Sequence, residues 1–92
     1  MKTIVDKYFP IQAVFSLQMP KNAQILHVGM QTATPCIWAL VDTELPLTQR
    51  EFFLFRTGMP IAIQELKFVA TFVEGSTNWH LFEKKIYEKG KL

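Results

Sequence analysis

Two stretches decide how this chain folds: Cys36-Ile37-Trp38-Ala39-Leu40-Val41 and Phe52-Phe53-Leu54-Phe55. In extended backbone, successive side chains point to opposite faces. Trp38 and Leu40 therefore look one way and Ile37, Ala39 and Val41 the other, and both sets are apolar. In the second stretch both faces are again aromatic or aliphatic. An antiparallel sheet with one face in water would alternate more cleanly. These strands thus lie centrally in a sandwich or small barrel, or turn one face to another subunit. A chain of 92 residues has little material to cover two such faces, which favours a homo-oligomer. A curled sheet closing on itself is the competing solution.

Outward from these runs, short apolar segments recur between Pro, Gly, Asn and Asp, the pattern of a β-rich domain. Thr3 to Phe9 alternates weakly and stops at Pro10, and Gln12 to Gln18 alternates well. Met19-Pro20-Lys21-Asn22 reads as a turn, since Pro presets φ and Asn tolerates left-handed geometry. Gln24 to Gln31 is the next strand, and Thr32-Ala33-Thr34-Pro35 connects it to Cys36–Asp42. Thr43 to Gln49 reads as irregular, Glu51 to Thr57 as a strand, and Ile61 to Leu66 as either an edge strand or one helical turn. Lys67–Glu74 and Thr77–Lys84 form a hairpin across Gly75-Ser76. The expectation is an all-β or β-rich domain, a small antiparallel sandwich or open barrel of six or seven strands with at most one or two helical turns. Residues 1–83 make the domain and 84–92 a basic C-terminal tail.

Charge narrows the function. Residues 84–92 hold four Lys against Glu88, whereas the preceding 83 carry six Lys/Arg and seven Asp/Glu. The body is nearly neutral, which argues against sequence-specific DNA binding, because neutralising several phosphates takes more Lys and Arg than it has. Hydrophobic content of 49% excludes intrinsic disorder. By area scaling, folding buries roughly 10,000 Å², enough for one core but not for separate cofactor and substrate domains. Cys36 is the single cysteine, so no intrachain disulfide and no Cys pair for zinc or redox chemistry exists, and the apolar run makes its thiol a small hydrophobe. The N-terminus lacks the apolar stretch of a secretory signal, and Asn22–Val41 is too polar for a membrane span. A cytoplasmic protein without a membrane partner is expected.

The groups able to carry chemistry are few. His27 and His80 lack metal-ligand spacing, and neither Ser16 nor Ser76 sits in a nucleophile elbow, so catalytic residues, metal and cofactor are all expected to be none. The carboxylates Asp42, Glu44 and Glu51 gather after the apolar strand, where flanking surface charge is the commoner cause than an acid/base pair. Arg50 and Arg56 are the only arginines, and Arg56 is followed at once by Thr57-Gly58. A guanidinium beside hydroxyl and backbone donors suits a phosphate or carboxylate. The plainer reading is a cross-strand pair with Asp42, Glu51 or Glu74. Each histidine has the same two readings, a hydrogen-bonded side chain on a half-exposed face or a ligand contact. Trp38 is a core residue or, at an oligomer seam, a platform for a base. The ligand-binding candidates are therefore Arg56, Thr57, Arg50, His27, His80 and Trp38.

Longer patterns then become visible: Met19-Pro20, Pro35-Cys36-Ile37-Trp38-Ala39-Leu40-Val41-Asp42, Thr57-Gly58-x-Pro60-Ile61 and Trp79-His80-x-Phe82-Glu83. From about residue 2 to residue 83 the chain resembles a family of small phage and prophage proteins that share a domain of unknown function. The family's turn more often reads Thr-Gly-His-Pro, where this chain has Met59. The resemblance implies a phage or prophage gene expressed in the bacterial cytoplasm and a product that acts by stoichiometric binding.

Three readings are open. The first is a non-enzymatic binding protein that sequesters an anionic nucleotide signal of host antiviral defence in pockets between subunits. The second is a protein–protein interaction module that occludes a host defence protein or a phage structural protein. A hydrolase around His80 or Asp42/Glu44 ranks last, for want of a nucleophile with an acid/base pair. The partners expected are copies of the chain itself, with a nucleotide ligand or a host protein.

Overall fold

The computed structural model describes residues 2–9, 11–62 and 64–86, and the statements below concern these. Seven strands succeed one another: β1 (Thr3–Tyr8), β2 (Val14–Pro20), β3 (Gln24–Gln31), β4 (Thr34–Asp42), β5 (Leu47–Arg56), β6 (Leu66–Glu74) and β7 (Thr77–Lys84). They form two open antiparallel sheets, β1-β4-β3 and β2-β5-β7-β6, with no helix among the described residues. The all-β expectation of six or seven antiparallel strands holds, with two open sheets and no closed barrel. Pro10, one residue of the 61–66 stretch and tail residues 87–92 lie outside the described residues.

The two-sided runs became interior strands, β4 in one sheet and β5 in the other. Their inner faces meet: Ile37, Ala39 and Val41 of β4 join Val28, Phe52, Leu54, Phe72 and Leu81 in the core. Met19 and Phe52 are wholly buried, and Phe15 stacks on Phe52 with ring centroids 5.1 Å apart. At about 25 cal/mol per Å², each aromatic buried to this extent contributes several kcal/mol.

The outer faces are covered unequally. Phe82 of β7 takes Phe55 and Phe68 edge-on, each at 5.7 Å. β5 and β6 both run antiparallel to β7, so they are parallel to each other and need a crossover. That connection passes over Phe53 and Phe55, where its Ala62, Gln64 and Glu65 line a cavity of about 370 Å³ with them. The chain thus covers part of the second face of β5 itself, leaving Phe53 and Phe55 half-buried. On β4, Trp38 is half-buried under the His27 ring, 5.4 Å away, while Leu40, with Val5 beside it in register, is exposed.

Four element boundaries are corrected. Met19 and Pro20 finish β2, and the turn is Lys21-Asn22, with Asn22 at φ 67°. The Leu54 amide donates to Ala13, and ladder alternation then turns Pro20 away from β5, where its missing N–H costs nothing. Thr34 and Pro35 belong to β4, leaving Thr32-Ala33 as the turn, with Thr32 at φ 56°. Leu47–Gln49 are strand rather than irregular, because they pair with Gln18–Pro20. Of the 61–66 stretch only Leu66 is strand, and the rest of its described part is turn or irregular.

Candidate functional site

One end of the sandwich opens into a cleft of about 820 Å³. Its walls are the Lys21–Ala23 turn, Thr48–Arg50 at the start of β5, Lys67 of β6 and Glu83–Ile86 from the end of β7 onward. The turn is fixed by local hydrogen bonds: the Lys21 amide donates to Pro46 and the Ala23 amide to Pro20. Left-handed backbone at Asn22 lets two residues reverse the chain, since Asn tolerates that conformation.

The floor is an ion pair. Arg50 Nε donates to Glu83 Oε2 at 2.6 Å and Nη2 to Oε1 at 2.8 Å, while Nη1 donates to the Ala23 carbonyl at 2.7 Å. The Glu83 side chain is 3% exposed and that of Arg50 13%, so this is a bidentate pair largely out of water. The guanidinium carbon also stands 5.9 Å from the centroid of the Phe52 ring. Lys67 Nζ reaches Glu83 at 3.8 Å. The cleft is thus lined by five cations, Lys21, Arg50, Lys67, Lys84 and Lys85, and one carboxylate, whose two oxygens Arg50 already holds. The arrangement concentrates positive charge at the rim. The lysines supply mobile donors at the rim, above a floor where Arg50 and Glu83 neutralise each other.

The structure distributes the sequence candidates over three places. Arg50 is in the cleft, but its partner is Glu83, not Asp42, Glu51 or Glu74. Arg56 and Thr57 lie at the other end of β5, about 20 Å from Arg50 at strand rise. Arg56 is exposed, and among the described residues it forms no salt bridge; its amide donates to Met59 Sδ. Thr57 is bound to His80: its hydroxyl meets Nε2 at 2.7 Å, and the Thr71 hydroxyl meets Nδ1 at 2.9 Å. Both ring nitrogens of His80 are therefore engaged, one by the turn residue after β5 and the other by β6. His27 and Trp38 lie on the outer face of the other sheet.

The carboxylates after β4 have structural employment. Asp42 Oδ1 accepts from the Glu44 and Lys2 amides, and Glu51 stands 3.9 Å from Lys84. No group of three or more His, Cys, Asp or Glu able to hold a metal occurs among the described residues, and no helix long and apolar enough to cross a membrane occurs among them.

Sequence reading missed Lys21, Lys67 and Lys85 as a group, because nothing local joins a turn, the start of β6 and the residue after β7. The one signal the sequence held was Glu83, which alternation in Thr77–Lys84 puts on the apolar face of Trp79 and Leu81.

An all-β two-sheet domain with a cationic end cleft is the class that fold and site define. The chain belongs to the family described as Domain of unknown function (DUF7352), whose model matches residues 1–90. The match continues past Glu83 into the lysine-rich segment. No curated protein and no solved structure matches the chain.

Proposed function

We propose that this chain is a non-enzymatic binding protein that holds an anionic ligand, of the nucleotide class, in the lysine-lined cleft above Arg50–Glu83. The observation that carries this reading is the cleft's charge: Arg50 and Glu83 cancel at the floor, and four lysines remain around them, of which Lys84 stands 3.9 Å from Glu51. A carboxylate held by both oxygens is poorly placed to shuttle protons, which favours binding over turnover. The setting is a phage or prophage protein acting stoichiometrically in the bacterial cytoplasm, where sequestering a nucleotide signal of host antiviral defence is the fitting role. That setting rests on the resemblance carried by the Trp38–Asp42 and Thr57–Ile61 motifs.

Thermal melting with a panel of cyclic di- and trinucleotides and nicotinamide-derived signals tests the reading. A ligand at one hundred times its Kd stabilises by about 2.7 kcal/mol, which raises the Tm of a domain this size by on the order of ten degrees. Lys21→Glu with Lys67→Glu abolishes the shift, Arg56→Ala leaves it, and the ligand is recovered unchanged. An unshifted Tm across the panel refutes the anion site, and ligand turnover refutes the non-enzymatic role.

The second reading, a module that occludes a host or phage protein, is favoured by the exposed apolar side chains of Val5, Leu26 and Leu40 around Trp38. It predicts no ligand shift, together with a protein complex that Leu40→Asp disrupts.

A further inference from the structure

We propose that the free edge of β1 pairs antiparallel with β1 of a second copy, centred on Ile4, joining two three-stranded sheets into one of six strands. This inference is independent of the anion cleft. β1 lies at a sheet edge, every residue from Thr3 to Lys7 is exposed, and Ile4 and Val5 are 39% and 58% exposed. Charge blunts the later half of this edge, at Asp6 and Lys7, and leaves Thr3 to Val5 without such protection.

Hydrogen-bond geometry decides the register. The Thr43 amide donates to the Lys2 carbonyl, so Lys2 and Thr43 are a hydrogen-bonded pair. By antiparallel alternation Ile4, Asp6 and Tyr8 also bond to β4, and the amides and carbonyls of Thr3, Val5 and Lys7 point away from it. The Lys7 amide is already taken, because Asp6 Oδ1 accepts from it at 2.8 Å. The edge is therefore open at Thr3 and Val5 and closed at Lys7.

A two-fold axis through Ile4 meets these conditions. Thr3 of one copy pairs with Val5 of the other, and reciprocally, using the open groups and not the Lys7 amide. Ile4 stands opposite Ile4, and Lys2 stands opposite Asp6 of the second copy, a charge-complementary placement repeated by the symmetry. Centring on Val5 instead would set Thr3 against Lys7, whose donor is occupied.

Sedimentation equilibrium and cysteine cross-linking on the full chain test this. Wild type is expected to dimerise in the micromolar range. Val5→Pro, which removes an amide that β4 does not use, raises the dimer dissociation constant at least tenfold. Opposed Ile4 positions form a non-hydrogen-bonded pair with Cα atoms about 4.5 Å apart, within disulfide reach. Ile4→Cys therefore cross-links on mild oxidation, and Val5→Cys, whose copies stand about 8 Å apart at strand spacing, does not; Cys36 is buried and does not compete. A wild type monomeric at hundreds of micromolar overturns the proposal, as does equal cross-linking of the two cysteine variants. Should Val5→Pro fail to fold, the cysteine contrast still decides.

Discussion

Arg50 and Glu83 come from neighbouring strands 33 residues apart in sequence, yet lock together through two hydrogen bonds, at 2.6 and 2.8 Å. Glu83 is almost wholly out of water, so neither charge of the pair can lose its partner cheaply. Removing one partner of a buried pair strands the other's charge, at about 3–5 kcal/mol. Glu83→Ala should lower urea-measured stability by that amount, and Arg50→Met with Glu83→Leu should recover most of the loss. A Glu83→Ala loss under about 1 kcal/mol would show the pair to be solvated.

Gly29 carries the His27 ring. A Cβ at Gly29 would stand 2.8 Å from His27 Nε2, so Gly29→Ala pushes that ring off Trp38. The displaced atom ends a movable side chain, so we expect a stability loss of only about 1 kcal/mol, with a clear change in Trp38 fluorescence. In a His27→Ala background the same substitution should be silent, and a double-mutant cycle measures the difference.

Tyr8 gives the fold an alkaline limit. Burial raises its pKa above the ordinary value near 10, the Asp6 charge and a hydrogen bond to Asp6 raise it further, and Arg50 opposes them. The fold therefore favours the neutral phenol. Its contribution is complete below about pH 10 and is lost as pH rises through the elevated folded value. The stability difference between wild type and Tyr8→Phe, followed by urea unfolding from pH 8 to 11, should be flat at first and then fall. A difference that rises with pH would contradict the assignment.

Thr32 holds φ at 56°, a conformation costly for a β-branched residue. Thr32→Asn or Thr32→Gly should raise stability by about 0.5–1 kcal/mol in urea titration, without changing the β3–β4 register. The gain should be absent for Ala33→Gly, whose backbone is not in that region.

Much of the fold was legible because strand signals are local. Alternation at Gln24–Gln31, the Gly75-Ser76 turn and the two-sided runs each need only a few neighbours to be read. Boundaries slipped where pairing overrode composition: Leu47–Gln49 became strand only because β2 lay beside it. The candidate site was legible in part. Arg50 was among the residues singled out, but its partner and surrounding lysines come from segments that sequence distance keeps apart.

The order of apolar and polar side chains by itself determined that this chain makes short strands, that Cys36–Val41 and Phe52–Phe55 lie inside sheets, and that the body is close to neutral. Those properties depend on nearest neighbours and on periodicity. Tertiary structure alone decided that four lysines and Arg50 share one cleft, that Arg56 lies far from it, and that the crossover lies over part of β5 while Leu40 on β4 stays exposed. Such placements depend on strand order, and strand order arises from burying whole faces together, a long-range free energy to which no single segment holds the key.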